Sequence, residues 1–270
     1  MTDHTLRSLR HFMLDMDGTL YLGDRLLPGA KAFIDGLTAR GLSYLCLTNN
    51  PTKTAEAYAE KLQRLGVDVP PSQILTAGEA TARFLAAETP HRRIHPLGPP
   101  AFAEELERAG LQVTVEEPDA VVLAFDITLD YERLKQFCRH VLAGLPYYAT
   151  NPDLVCPTEA GPIPDCGAMA AMIAAATGRT PQYIGKPEAT MLRMGLKKLQ
   201  AEAGQTAMVG DRLYTDMEMA YRAGIASVLV LSGETKFEDL PEESGQRRPD
   251  FIFENVGALW EALQSARGEV

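Results

Sequence analysis

Two carboxylates two residues apart close an apolar run in Phe12-Met13-Leu14-Asp15-Met16-Asp17-Gly18-Thr19-Leu20. Acids this close repel each other, so a cation, a shared proton or a basic side chain must compensate them. The remaining residues suited to chemistry are Thr48-Asn49-Asn50, Gly185-Lys186-Pro187 and Gly210-Asp211-Arg212-Leu213-Tyr214-Thr215-Asp216. Together they offer several acids, a lysine and a hydroxyl. The acids suit Mg²⁺, which takes oxygen ligands and keeps waters. The lysine and the hydroxyl suit phosphoryl oxygens. Phosphoryl transfer consists mostly of positioning and charge neutralisation, and this set supplies both.

Each of these segments follows a stretch that reads as a buried strand. The first strand ends at Asp15, a second spans residues 42–47, a short one covers Tyr183 and Ile184, and another covers 206–209. Near-continuous apolar runs of this length separated by helical patterns predict a parallel α/β sheet with right-handed crossovers. Ala30, Phe33, Ile34 and Leu37 mark one intervening helix, which Gly41 ends. Ala55, Tyr58, Ala59, Leu62 and Leu65 mark the next, with Thr52 as its cap. Leu192, Leu196, Leu199 and Ala203 mark a third helix, and Val256, Leu259, Trp260 and Leu263 a last one. Ligands in open α/β sheets gather at the carboxyl ends of the strands, so the four segments are expected to converge on one rim.

The middle of the chain has its own alternation: a helix over 80–87, Pro-rich punctuation at Pro96, Pro99 and Pro100, strands over 120–125 and 147–150, and a helix over 131–142. A Pro/Gly segment then covers 152–164 and an Ala/Met-rich helix covers 168–176. This predicts a second α/β unit inserted into the first. The expected division is 1–77 for the first part of the core, 78–181 for the insertion and 182–270 for the rest of the core.

Strand-end geometry suggests roles. Asp15 is the expected nucleophile, forming an aspartyl phosphate. Asp17, already in the loop, is the expected general acid and then base. Gly18 turns the backbone away beneath the phosphate. Thr48 and the amides of Asn49 and Asn50 bind phosphoryl oxygens, although Thr48 could also cap a helix. Lys186 neutralises Asp15 and the phosphate. Asp211 completes a metal shell beside Asp15. Asp216 belongs to that shell, stands just behind it, or simply favours a helix N-terminus.

These four motifs, in this order, resemble those of the haloacid dehalogenase superfamily. The insertion between the second and third resembles its C2-capped branch. Ala149-Thr150-Asn151-Pro152-Asp153 and Pro164-Asp165-Cys166-Gly167-Ala168 resemble the NagD-like, p-nitrophenyl phosphatase group. The resemblance implies a Rossmann-like, doubly wound core under an α/β cap, Mg²⁺ dependence and a metal contact through the Asp17 carbonyl. It also implies substrate-facing cap residues Thr150, Asn151 and Asp153, and cap-mediated homodimers, which are frequent in the family. Close relatives often carry valine where this chain has Thr19.

Composition narrows the partners. The 270-residue chain is 46% hydrophobic with a net charge of −10 and a pI near 5.1, which disfavours nucleic acid. No apolar run approaches the roughly 20 residues of a membrane span. The start lacks a signal-peptide core. The cysteines Cys46, Cys138, Cys156 and Cys166 form no CxxC pair, and a cytoplasmic setting with all four as packing residues follows. The five histidines show no ligand spacing.

The expected function is therefore hydrolysis of a small phosphate ester. A dehalogenase on the same fold has no leaving alkoxide to protonate, so Asp17 argues against it. A phosphoryl-transport ATPase places threonine at that position and needs membrane helices. A phospho-accepting signalling module would be about half this length, and a base at Asp17 would hydrolyse the acyl phosphate it must preserve.

Overall fold

The computed structural model describes residues 5–156, 161–240 and 247–268. The expected 152–164 segment and the N-terminal stretch fall only partly within these ranges, and His4 lies outside them. The chain forms two compact units. The first takes the chain up to Thr48, then Glu56–Leu75, and everything from Gly195. The second takes Asn49–Ala55 and Thr76–Met194.

The first unit begins with β1 (His11–Asp15), whose last four residues are buried. A tight hairpin follows, β2 (Tyr21–Leu22) against β3 (Arg25–Leu26). Then come α1 (Ala30–Ala39), β4 (Ser43–Thr48), α2 (Ala55–Arg64) and β5 (Ile74–Thr76). The expected α1 stripe of Ala30, Phe33, Ile34 and Leu37 is the face this helix buries. Phe33 meets Phe12 edge-on at 6.0 Å between ring centroids. Helix α2 starts at Ala55, beyond the expected cap: the Thr52 hydroxyl donates instead to Asn50 Oδ1 at 2.6 Å. Strand β5 was not expected, because three residues leading straight into a helix carry too little periodicity to show in sequence.

The second unit continues with α3 (Ala77–Glu88), β6 (Arg93–Leu97), α4 (Pro100–Arg108), β7 (Gln112–Val113) and β8 (Ala120–Leu123). After these come α5 (Tyr131–Leu142), β9 (Tyr147–Ala149), the small ribbon β10 (Val155–Cys156) with β11 (Ile163–Pro164), α6 (Cys166–Thr177) and β12 (Gln182–Tyr183). Helix α7 (Ala189–Leu199) spans the boundary at residue 195.

The prolines read as punctuation at 96, 99 and 100 lie in or beside regular structure. Pro96 sits inside β6, where β7 pairs only with Arg93 and Ile94, so that ladder has ended before the missing N–H matters. Pro100 opens α4, where an N–H would be unpaired in any case. The sheet runs β12-β9-β8-β6-β7, and its core joins Leu97, Val121 and Leu123 to Phe137, Val141, Met169 and Ile173.

The first unit closes with β13 (Thr206–Gly210), a π-helical turn over Leu213–Met217, α8 (Glu218–Ala223), β14 (Ala226–Val230), β15 (Phe251–Phe253) and α9 (Val256–Arg267). Its sheet runs β15-β14-β13-β1-β4-β5. β1 lies in the middle and pairs in parallel with β13 on one side and β4 on the other. Trp260 of α9 packs against Phe33 and fills the space over Gly36, where a Cβ would lie 2.1 Å from the indole.

A further expectation is corrected. The strand at Tyr183 does not belong to the sheet of β1: β12 pairs in parallel with Tyr148 and Ala149 of β9. A two-residue strand with an exposed glutamine has no pattern that selects one sheet over another. The residues from Gln182 to Met194, expected in the core, therefore group with the second unit. No helix among the described residues is long and apolar enough to cross a membrane.

Candidate active site

Strand order puts the acids of the first unit side by side. Phe12 to Leu14 pair with Ala207 to Val209, so Asp15 ends β1 beside the end of β13, where Gly210 leads into Asp211. On the other flank Asp15 is in register with Leu47, one residue before Thr48. Asp15, Asp211 and Asp216 are all buried, and one carboxylate oxygen from each lies within 4.8 Å of the others.

Asp216 does not sit in the ordinary first turn of a helix. The π-helical turn over Leu213–Met217 carries it inward, where it is 0% exposed and its Oδ2 accepts from the Arg212 N–H at 3.2 Å. Single π-turns of this kind often accompany functional sites. Gly210 makes room for it, since a Cβ there would lie 2.3 Å from the Asp216 carboxyl carbon.

Asp17 is exposed in the loop, forms an isolated bridge with Tyr21, and is followed by Gly18 at φ +84°. A Cβ on Gly18 would lie 2.4 Å from Asp211 Oδ2, so glycine serves both the left-handed turn and the close approach.

Residues beyond β14 also belong here, although their sequence gave them no role. The Glu234 N–H donates to Asp211 Oδ2 at 2.6 Å, the Ser232 hydroxyl donates to the Gly18 carbonyl at 2.8 Å, and a Cβ on Gly233 would lie 2.0 Å from Asp211 Oδ2. The available signal was positional: Ser232-Gly233-Glu234 follows a buried strand of the same parallel sheet. Arg212 was also unassigned. Its guanidinium pairs with Glu234 at 2.9 Å.

Burial, then the charges of Asp15 and Asp216, push the Asp211 carboxyl up to about 8. Burial alone would depress Arg212, but Asp15, Tyr214, Asp211 and Glu234 outweigh it and hold the guanidinium above its ordinary value. The Cys46 thiol is pushed up to about 12, mainly by burial and further by Asp15. Among these acids, Asp211 Oδ1 is buried with no hydrogen-bond partner. Three buried carboxylates with an orphaned oxygen fit a hard divalent cation and fit an empty cavity poorly.

The remaining expected residues belong to the second unit. Lys186 is buried and follows β12 through Gly185, before a cis bond to Pro187. Contrary to expectation, it does not end a strand of the β1 sheet. Asn49 is buried and bonded to the Lys186 main chain, while Asn50 Oδ1 accepts from both Thr52 groups. Thr150 and Asn151, expected to face substrate, are each 0% exposed and bonded to each other at 2.8 Å. Asp153 accepts from Asn49 at 2.9 Å and from Asn151 at 3.3 Å.

Comparison with known proteins settles the family. A haloacid dehalogenase-like hydrolase family model matches residues 12–112, and a HAD-like hydrolase model matches 183–259. The chain belongs to this family. An acid sugar phosphatase of Staphylococcus haemolyticus is 33% identical over 96% of this chain and 98% of its own. The 4-nitrophenylphosphatase structure from Thermotoga maritima is 44% identical, covers 97% of this chain and 100% of its own, and superposes with a TM-score of 0.91. NagD from E. coli K-12 is 34% identical, over 92% of this chain and 97% of its own, with a TM-score of 0.87. The haloacid dehalogenase-like chain described here is of the NagD-like phosphatase type, a phosphomonoester hydrolase with a Rossmann-like core and a cap.

Proposed function

We propose that this enzyme hydrolyses small phosphate monoesters, sugar phosphates among them, through an aspartyl phosphate on Asp15 with Mg²⁺ as cofactor. The observation that carries the reading is the buried Asp15, Asp211 and Asp216 trio with exposed Asp17 two residues from the nucleophile. The relatives named acid sugar phosphatase and 4-nitrophenylphosphatase support the substrate class.

In the first half-reaction an Asp15 oxygen bonds to phosphorus while the bond to the ester oxygen breaks, and Asp17 gives its proton to the departing alkoxide. In the second, a water oxygen attacks phosphorus, Asp17 takes the water's proton, and the bond between phosphorus and Asp15 breaks to release inorganic phosphate. Thr48 and the following amides hold phosphoryl oxygens, and Lys186 neutralises their charge. Asp15, Asp211, Asp216 and the Asp17 carbonyl would hold the cation, which supplies neutralisation of the carboxylates and polarisation of the phosphoryl group. The working setting is the cytoplasm, with a homodimer formed through the cap.

A panel of metabolite phosphates with Mg²⁺ tests this. Asp15→Asn and Asp17→Asn are each expected to lower kcat at least ~10³-fold, the loss that follows removal of a nucleophile or a proton-transfer group. Activity surviving in Asp15→Asn would remove the mechanism. A chain that releases halide from haloacids and leaves every phosphate ester intact would instead be a dehalogenase.

A further inference from the structure

We propose that Asn49 and Asp153 are positioning residues for Lys186, and that the Thr150-Asn151-Pro152-Asp153 segment buttresses the lysine instead of reading the substrate. The inference rests on the catalytic reading of Lys186 given above.

Strand pairing ends just before the lysine. The Ile184 N–H donates to the Ala149 carbonyl at 3.1 Å and the Gly185 N–H to the Thr150 carbonyl at 2.7 Å. At Lys186 a single side-chain amide takes over. Asn49 Oδ1 accepts from the Lys186 N–H at 2.8 Å, and Asn49 Nδ2 donates to the Lys186 carbonyl at 2.9 Å. Both main-chain groups of the lysine are thus held by the residue that follows Thr48.

An amide used this way must be prevented from turning over, because its oxygen and nitrogen are nearly isosteric. Asp153 does so. Its Oδ2 accepts the second Nδ2 proton of Asn49 at 2.9 Å, which fixes which end of the amide faces which group. Asn151 donates to the same Asp153 oxygen at 3.3 Å and to Asp165 Oδ1 at 3.2 Å, and Asp165 in turn caps α6 through the Cys166 N–H.

The chain of bonds therefore runs from a helix N-terminus to the lysine backbone. Asn49, Asn151, Asp165 and Lys186 are all buried. Steric fit agrees: a Cβ on Gly185 would lie 2.4 Å from the Thr150 carbonyl and 2.7 Å from Asn49 Oδ1, and one on Gly167 would lie 2.1 Å from the Pro152 carbonyl. Buried, mutually satisfied polar networks of this kind specify one geometry, and misplacing a catalytic group by about 1 Å costs on the order of 10² in rate.

The test compares kcat and KM of Asp153→Ala, Asp153→Asn, Asn49→Asp and Lys186→Met on 4-nitrophenyl phosphate and two sugar phosphates, with Mg²⁺ saturating and melting curves recorded. Asp153→Ala is expected to lower kcat by about 10- to 100-fold, by the same factor on every substrate and with KM unchanged. Asp153→Asn retains an acceptor oxygen and loses less. Asn49→Asp preserves volume but turns a carboxylate oxygen onto the Lys186 carbonyl, so it loses as much as the alanine variant; it carries the test if Asp153→Ala does not fold. A KM or selectivity change with kcat intact would overturn the proposal in favour of substrate contact. Wild-type kinetics in Asp153→Ala and Asn49→Asp, beside an inactive Lys186→Met, would overturn the positioning role alone. An active Lys186→Met would overturn the catalytic reading beneath it.

Discussion

Replacing Asp211 by asparagine separates the metal-binding reading from a purely structural one. In the metal-free protein the Asp211 carboxyl is pushed up to about 8 by burial and by the Asp15 and Asp216 charges. The folded value lies above the unfolded one, so the charged form is disfavoured on folding. Metal-free stability should therefore be greatest at acidic pH and fall as pH rises between about 4 and 8, by at most ~1.4 kcal/mol per pH unit.

The substituted amide would remain neutral at every pH. Its oxygen could keep the Glu234 N–H bond, and its NH₂ would stand where Oδ1 now has no partner, within the cluster of Asp15 and Asp216. A hydrogen bond to a charged group contributes about 1.5–3 kcal/mol. At about 2–4 °C per kcal/mol, metal-free Asp211→Asn should melt about 3–12 °C above wild type near pH 8.5. Near pH 5, where Asp211 is protonated and already neutral, the difference should largely close.

Saturating Mg²⁺ closes or reverses that gap at pH 8.5 and puts wild type ahead near pH 5. At about 100 Kd it adds about 2.7 kcal/mol to wild type and leaves the variant unmoved. Differential scanning calorimetry at the two pH values, with and without Mg²⁺, reads all four numbers. A metal-free variant that melts at or below wild type at pH 8.5, together with an undiminished Mg²⁺ response, would refute the reasoning.

Three further outcomes are expected. Gly18→Ala combines a left-handed φ, which costs about 1–2 kcal/mol, with a Cβ 2.4 Å from Asp211 Oδ2. Isothermal titration should show Mg²⁺ affinity falling more than melting temperature accounts for. Gly185→Ala places its Cβ against the Thr150 carbonyl, so calorimetry should show a loss of about 1–3 kcal/mol with a fall in kcat. The third concerns a pH-sensitive pair in the second unit. His95 Nδ1 lies 2.9 Å from His140 Nδ1, and burial, His140 and Arg133 together depress His95 to about 4. A depressed histidine contributes stability that is present above its unfolded value near 6.5 and lost as pH falls towards 4, about 3 kcal/mol in all. Hydrogen exchange of β6 should quicken across that window, and His95→Gln should flatten the response.

What the sequence made legible follows from pattern length. β1, β4 and β13 are long, apolar and bounded by polar loops, so their ends, and with them Asp15, Thr48 and Asp211, are legible in the pattern. The α1 and α9 stripes were legible because three turns of helix repeat the signal several times. Short elements were not. Two residues at β12 cannot say which sheet they join, and the answer depends on the partner at Tyr148 and Ala149. Pro96 hid β6 because a proline signals a break unless the ladder on that side has already ended. Asp216 looked like an ordinary first-turn acid because a π-turn has no sequence signature of its own. The Ser232 to Glu234 tail was missed because its contribution is made through backbone and small side chains, which carry no chemical label. Thr150 and Asn151 point to substrate on resemblance alone; their burial and their hydrogen bonds to each other and to Asp165 depend on tertiary neighbours that no local pattern names.

The central claim is that phosphorus is transiently bonded to Asp15. Its most direct measurement is mass spectrometry of peptides from enzyme quenched in acid during turnover of 4-nitrophenyl phosphate, with Asp17→Asn included to slow breakdown of the intermediate. The account predicts one phosphoryl group, removed by hydroxylamine, on the peptide bearing Asp15 and none in Asp15→Asn. A phosphoryl group on a different residue, or full turnover by Asp15→Asn, would contradict it.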